Sequence, residues 1–291
     1  MKTVIEGDFF GNGGGDLRLR HAYGVWNGIL AGQTTTNFTS FLGFTPTIDF
    51  LGPLGEGNLS RQAQLRYTAG DFSVALEDPG SLGGASTILA AQSPEPIIPN
   101  ASSQNNIPDL TLRYESSAGS IAYATSAVVR QLGVYDADTD SEEKAFGYGV
   151  SLAAKLTLEP AVSIQGAVVY GDGVGGYMYA SPAAPSFYDP SAQEVETVKA
   201  LGGTLGTSIN AGAGTVNLVY GIATADWDDA EAAGLSVENQ NEMFQSVYVN
   251  YIWAPIKDVS YGIEVGHHSR EVVSGAEGSA VRFQAMAMYK F

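Results

Sequence analysis

From residue 2 to residue 291 the sequence repeats one device. Segments of about ten residues alternate apolar with polar or small side chains, and clusters of Gly, Asn, Asp, Ser and Pro separate them. Successive side chains of a strand project to opposite faces, so a period of two builds a strand with one apolar face. In one such segment Phe146, Tyr148, Val150, Leu152, Ala154 and Leu156 oppose Gly147, Gly149, Ser151, Ala153, Lys155 and Thr157. No window of comparable length sustains a 3.6-residue period. Fourteen strands are predicted, at 2–10, 16–26, 28–35, 60–69, 71–78, 108–116, 119–132, 144–157, 161–172, 196–210, 214–225, 242–254, 258–270 and 279–291.

The connections between these strands alternate in length. Short turns fall at 26–28, 69–71, 117–119, 158–160, 210–214 and 254–258, and long polar connections at 36–59, 79–107, 133–143, 173–195, 226–241 and 271–278. Only 11–15 is short where a long connection is due. Short turns on one rim and long loops on the other are the layout of an up-and-down barrel in an outer membrane. A sandwich or propeller has no reason to segregate loop length in this way. A barrel this wide cannot fill its interior with side chains, so the apolar face is assigned to lipid and the polar face to a wet lumen. Tyr23, Trp26, Tyr67, Tyr170, Tyr251, Trp253 and Tyr289 stand near strand ends, where interfacial girdles belong. The chain closes on Tyr289-Lys290-Phe291, and a terminal aromatic on an alternating strand resembles the signal by which outer-membrane barrels are inserted. The predicted fold is all-β: one antiparallel up-and-down transmembrane β-barrel over residues 1–291, with about 14 strands and the last pairing either with residues 2–10 or with a strand absent from this chain.

Composition removes other classes. Lys and Arg number 14 against 31 Asp and Glu, a net charge of −17 that repels phosphate backbones and excludes nucleic acid as a partner. The absence of Cys removes disulfide scaffolds, thiolate metal sites and thiol nucleophiles. With a mean hydropathy of zero and no apolar run near 18 residues, transmembrane helices are excluded while barrel strands are not. Lys2-Thr3-Val4-Ile5 leads straight into charged residues without a secretory signal, as in a mature or trimmed chain.

Arg18 and Arg20 share one face, opposite Leu17 and Leu19, which makes that face the lumen. A turn near Gly13 would set Asp8 across from Arg18 and Glu6 across from Arg20, where opposite charges pair. Arg61 and Arg66 form a second basic cluster, and Arg113, Lys155, Arg282 and Lys290 also land on the polar face. Such a ladder either attracts anionic solutes and sets a transverse field against acidic groups of an inward loop, or it pairs charges along the wall. The loop at 36–59 carries Phe38, Phe41, Leu42, Phe44, Ile48, Phe50, Leu51 and Leu54, too apolar to extend into solvent. It is expected to fold into the lumen or onto a neighbouring subunit as a constriction loop, offering Asp49 and Glu56. Acidic runs at Asp136, Asp138, Asp140, Glu142, Glu143 and at Asp226, Asp228, Asp229, Glu231 lack the Gly and terminal Glu of a calcium loop and read as solvated loops. His268 and Ser269 point to opposite faces of a strand and cannot form a hydrolytic dyad without a bulge. His21, beside Leu19 and Tyr23, reads as an interfacial residue. No catalytic residue, metal site or cofactor is expected. The three function classes left are a passive diffusion channel, a plugged structural or surface-binding barrel and, last, an outer-membrane esterase or phospholipase.

Several stretches resemble the DcaP-like family of outer-membrane porins: Glu6-Gly-Asp-Phe-Phe-Gly11, Leu17-Arg-Leu-Arg-His-Ala-Tyr-Gly24, Ala31-Gly-Gln-Thr34, Thr47-Ile-Asp-Phe50 with Gly52-Pro53, and Arg61-Gln-Ala-Gln-Leu-Arg-Tyr-Thr68. The match is dense over about the first seventy residues and then reduces to strand pattern and the terminal Tyr-Lys-Phe. The resemblance implies a homotrimer in the bacterial outer membrane, sixteen strands per subunit, and contact with outer-membrane lipid and lipopolysaccharide. It also implies passive diffusion of small, preferably anionic solutes such as dicarboxylates through an arginine-bearing constriction. The matching basic positions are Arg18, Arg20, Arg61 and Arg66. Against that pattern, the chain is expected to lack the signal peptide and possibly two strands before Lys2.

Overall fold

The computed structural model describes residues 1–82, 101–103, 106–137, 140–158, 161–189 and 192–291. Seventeen strands follow in chain order: β1 (Lys2–Gly11), β2 (Asp16–Trp26), β3 (Ile29–Thr35), β4 (Arg61–Ala69), β5 (Phe72–Glu77), β6 (Ala101–Ser103), β7 (Asp109–Ala118), β8 (Ile121–Asp136) and β9 (Ser141–Leu158), then β10 (Val162–Asp172), β11 (Ser186–Asp189), β12 (Glu194–Thr197), β13 (Lys199–Ala211), β14 (Gly214–Ala225), β15 (Asn241–Ile256), β16 (Val259–Val272) and β17 (Glu277–Tyr289). Fourteen of them form one antiparallel path, β1-β2-β3-β4-β5-β7-β8-β9-β10-β13-β14-β15-β16-β17, each hydrogen-bonded to its neighbour in the path. These are the fourteen strands expected from the alternation. Short β6 pairs with the outer end of β8, and β11 and β12 form a separate hairpin.

Of the two closing partners expected for the last strand, residues 2–10 are not paired with it among the described residues. The path has two ends, at β1 and β17, and no register joins them among the described residues. Among the described residues the outer edges of β1 and β17 therefore have no strand partner.

The faces follow the alternation. On β9, Phe146, Tyr148, Val150 and Leu152 are exposed to the outside, while Gly147, Gly149, Ser151 and Ala153 are buried within. The exposed side is the lipid-facing one, since a single sheet has no other apolar layer to cover it. Tyr251 stacks on Trp253 at 5.3 Å, and Trp253 lies 5.9 Å from Tyr261, an aromatic belt on the rim of short turns. At the opposite rim Tyr148, Tyr170 and Tyr220 face outward.

Two expectations for the long connections change. Much of 133–143 is strand, because β8 continues to Asp136 and β9 starts at Ser141, and Asp138 lies outside the described residues. The connections at 173–195 and 226–241 are not irregular throughout: they carry the β11–β12 hairpin and a helix, α1 (Asp228–Ala232), with Asp226, Asp228, Asp229 and Glu231 exposed as expected. Phe187, Val198, Trp227, Ala230 and Val237 bury one another there, a small apolar core at the outer mouth of the barrel.

The lumen is also not wet throughout. Phe38 from the 36–60 loop and Val174, Tyr177 and Met178 from the loop after β10 pack with Val128, Val169, Ala200 and Ala223 of the wall. The wall admits them because its inner face is small. An added Cβ on Gly202 would overlap Gly55 O, and one on Gly221 would lie 2.5 Å from Leu54 O. Gly55 itself has φ of +87°, and a Cβ there would overlap the carbonyl oxygen of Ile222, so only Gly fits both backbone and space.

Candidate functional site

The 36–60 loop leaves the wall where β3 and β4 end, with the Thr36 N–H donating to Ser60 O, and crosses the lumen. Buried carboxylates on the wall hold it by accepting backbone N–H groups that an irregular segment would otherwise leave unpaired. Glu77 of β5 accepts the Asn37 N–H and the Thr36 hydroxyl. Across the barrel, Glu264 of β16 accepts the N–H of Ile48 at 2.8 Å and of Asp49 at 2.7 Å. Asn250 donates to Pro46 O at 2.9 Å, and Gln165 to Thr45 Oγ1 at 2.9 Å. A second inward segment clasps the loop from above. Gly55 N–H donates to Tyr179 O, Tyr179 N–H to Glu56 O and Asn58 N–H to Tyr177 O.

This second segment is fixed by a buried network that alternation does not reveal. Arg130 of β8 is fully buried, with Nε 3.4 Å from Asp109 Oδ2, and its guanidinium lies 5.2 Å from the Tyr177 ring centre. The Tyr177 hydroxyl donates to Asp109 at 2.8 Å. Arg130 sits on the polar face in the sequence, but its partner Tyr177 lies in a connection whose polar composition points outward, so no local signal joins them.

The loop's contacts run along β5, β7–β10 and β13–β17, which leaves space beside β1–β4 open. A cavity of about 520 Å³ lies there, bounded by Arg18, Arg20 and Arg61 on the wall and by Phe44, Phe50, Leu51, Glu56 and Tyr179 on the loops. A second cavity of about 490 Å³ is lined by His21, Arg66, Arg113, Glu115 and Lys155. Phe44 lines both, so the two adjoin at its ring.

Within this site the expected hairpin pairs form. Arg18 donates to Asp8 at 2.6 and 3.0 Å, and Arg20 to Glu6 at 2.7 Å and to Asp8 at 3.0 Å. Their register differs from expectation: Asp8 faces Arg18, but Glu6 faces His21 and Gly7 faces Leu19, so Arg20 is the extra residue of a β-bulge. An extra residue resets the alternation. His21 and Tyr23 therefore turn to the lumen and not to the lipid boundary, and His21 Nδ1 lies 3.0 Å from Thr34 Oγ1. An edge-to-face contact at 6.4 Å keeps His21 and Tyr23 on one side.

Arg61 lines the first cavity with its Nε buried and without a hydrogen-bond partner among the described residues. Arg66 and Arg113 serve the base of the loop, donating to Thr35 O at 2.7 Å and Thr39 O at 2.8 Å, while lining the second cavity. Asp49 is buried and held by Arg282 at 2.8 Å and the Tyr248 hydroxyl at 3.3 Å, an anchor of the loop to β15 and β17. Glu56 is fully buried, its carboxylate bonded among the described residues only by Thr204 Oγ1 at 3.4 Å, and burial pushes its carboxyl up to about 8. His268 and Ser269 face opposite sides of β16, whose register with β15 is unbroken there.

A family model of the DcaP outer membrane protein matches residues 2–291. The chain belongs to the DcaP outer membrane protein family. In line with that membership it superposes on the outer membrane channel DcaP of Acinetobacter baumannii with a TM-score of 0.83 at 25% identity, over 99% of this chain and 80% of that one. The DcaP-family barrel is also similar, in fold alone, to an anion-selective porin from Comamonas acidovorans (TM-score 0.55, 11% identity, 98% of this chain and 81% of that one). A trimer form of OmpT, an outer membrane protein of Vibrio cholerae, gives a TM-score of 0.54 at 11% identity, over 94% of this chain and 81% of that one. A comparison with curated protein sequences returns no match. The chain is thus an outer-membrane β-barrel of the porin type.

Proposed function

We propose that this barrel is a passive diffusion channel for small hydrophilic solutes, preferring anions such as dicarboxylates, and that it works as a homotrimer. One observation carries the charge preference. Six cations, Arg18, Arg20, Arg61, Arg66, Arg113 and Lys155, border the two adjoining cavities or their rim, against three exposed or half-exposed carboxylates, Glu6, Asp8 and Glu115. An uncompensated unit charge at 4 Å in water is worth about 1 kcal/mol, a factor of about five in local anion concentration. A low-dielectric wall on the loop side, Phe44, Phe50 and Leu51, reduces screening and strengthens the field in the gap. The carboxylates Asp8 and Glu6 hold Arg18 and Arg20 extended along the wall, so these guanidiniums present their outer N–H groups to a passing solute.

The family's outer-membrane character and its structural relatives, a channel and an anion-selective porin, support the reading. The trimer rests on the OmpT relative and on family resemblance. Planar-bilayer measurements under a salt gradient test it. Wild type should give a reversal potential on the anion side, and Arg18→Ala with Arg20→Ala should move it toward cations, because Asp8 and Glu6 are then left unbalanced. A correctly inserted protein that carries no current refutes the channel, and an unmoved reversal potential in the double variant refutes the role of these arginines.

A further inference from the structure

The charge of this chain is not spread evenly along the barrel axis. The four outer stretches 136–143, 172–196, 226–242 and 271–277 hold 4, 4, 6 and 2 Asp and Glu among the described residues, and no Lys or Arg. Lys144, Lys199 and Arg270 border them, and two of these pair with rim carboxylates, Lys144 with Glu142 at 3.2 Å and Lys199 with Asp229 at 3.1 Å. Among the described residues the rim of short turns carries Lys2, Lys257 and Lys290 against Asp71 and Asp258. Between the two rims, six cations face three carboxylates around the adjoining cavities. A negative mouth and a positive lumen therefore stand in series.

The mouth keeps its charge against a cost in stability. Asp189 and Glu194 stand directly opposite each other in the β11–β12 hairpin, and Glu271 and Glu277 do so where β16 meets β17. Like charges facing across strands destabilise a sheet. The hairpin also brings its acids to those of α1: burial, and after it the charges of Asp229, Asp189 and Glu194, hold the Glu196 carboxyl above its ordinary value. Glu194 and Glu277 are exposed, so packing does not require a carboxylate at either position. Local rules of this kind are broken where function is served.

We infer that the barrel conducts asymmetrically, passing more ionic current when the outer bath is positive than when it is negative. This rests on the channel proposed above and adds a direction to it. Cations populate the acidic mouth and anions the basic lumen, and each zone excludes ions of its own sign. With the outer bath positive, cations leave the mouth inward and anions leave the lumen outward. Both enter the junction between the zones, where salt accumulates and conductance rises. Reversing the field draws both away from the junction and depletes it. No bound ion is needed, because each zone acts through its mobile counter-ions. The reach of a zone is the Debye length, about 10 Å at 0.1 M salt and about 3 Å at 1 M, so the asymmetry belongs to low salt.

Single-channel recording in symmetric KCl tests it. The chain has no cysteine, so Ser274→Cys in the exposed turn between β16 and β17, biotinylated through its thiol, reports which bath is the outer one when streptavidin is added to one side. The ratio of currents at equal and opposite voltage should be about two to three at 0.1 M and near one at 1 M. Asp189→Asn with Glu194→Gln, combined with Glu271→Gln and Glu277→Gln, removes four charges and both facing like-charge pairs. That variant should keep or raise the urea midpoint, and its low-salt ratio should fall toward one. A symmetric current in wild type at low salt, a larger current with the outer bath negative, or an undiminished ratio in the variant overturns the inference and leaves the channel standing. Absence of any current from correctly inserted protein overturns the porin reading and this inference with it.

Discussion

Glu56 makes the docking of the 36–60 loop depend on pH. Its carboxyl is fully buried, one oxygen has no hydrogen-bond partner among the described residues, and burial raises it from 4.5 to about 8. Below pH 4.5 the docked and the undocked loop both hold the proton, and docking has its full strength. Between pH 4.5 and 8 the undocked loop has released a proton that the docked loop retains, so docking weakens by about 1.4 kcal/mol, or tenfold, for each unit. Above pH 8 both forms are ionised and the slope vanishes. Across the window the loss reaches about 5 kcal/mol, comparable with several of the hydrogen bonds that hold the loop. Single-channel recording at pH 6, 7, 8 and 9 should show closures and conductance fluctuations that grow up to pH 8 and then level off. Glu56→Gln keeps the shape and stays neutral, so its fluctuations should remain at the pH 6 level throughout. The same rise in wild type and variant would assign the titration to another group and sink the reasoning.

Two further outcomes follow from the buried ties. Arg130→Met leaves Asp109 buried without its ion pair, which costs about 3 to 5 kcal/mol, and the urea midpoint of the refolded barrel should fall accordingly; an unchanged midpoint contradicts the role of this network. Arg282→Ala removes one of the three partners of the Asp49 carboxylate, Leu51 N–H, the Tyr248 hydroxyl and Arg282, through a guanidinium that is about half exposed, so the effect is about 1 kcal/mol. Amide exchange at Ile48 and Asp49 should quicken about fivefold in that variant, and unaltered exchange speaks against Arg282 as an anchor.

The barrel was legible because its signal is local. A period of two over ten residues, and the alternation of turn and loop lengths, survive any tertiary detail, and all fourteen strands of the path appear where they were expected. The apolar content of the 36–60 loop told that it is covered, in the lumen or on a neighbouring subunit, but did not choose between the two. Three features were not. The bulge at Arg20 is one residue without a sequence mark, and it moved His21 and Tyr23 from one face to the other. The second inward segment reads as polar because Gly175, Gly176 and Ser181 dominate it, while Tyr177 and Met178, which make its contacts, are two residues among many. Arg130 and Asp109 stand opposite each other in the β7–β8 hairpin and follow from its short turn, but nothing in the local pattern brings Tyr177 to them. Among the arginines, alternation tells the face but not what each side chain does there. Arg18 and Arg20 are bound to carboxylates, Arg66 and Arg113 hold loop backbone, and Arg61 lines the cavity without an ion pair among the described residues.

The row of small residues beneath the loop has a consequence for how such a channel can diversify. Gly55 lies against the carbonyl of Ile222, and Gly202 and Gly221 against the loop backbone, on the side of the barrel remote from Arg18 and Arg61. The loop is braced between that side and the gap, so a methyl group inserted at the brace has only one direction in which to push it, toward the arginines. Bore and charge are therefore under separate genetic control: substitutions on the far staves resize the opening without altering a single residue that a solute meets.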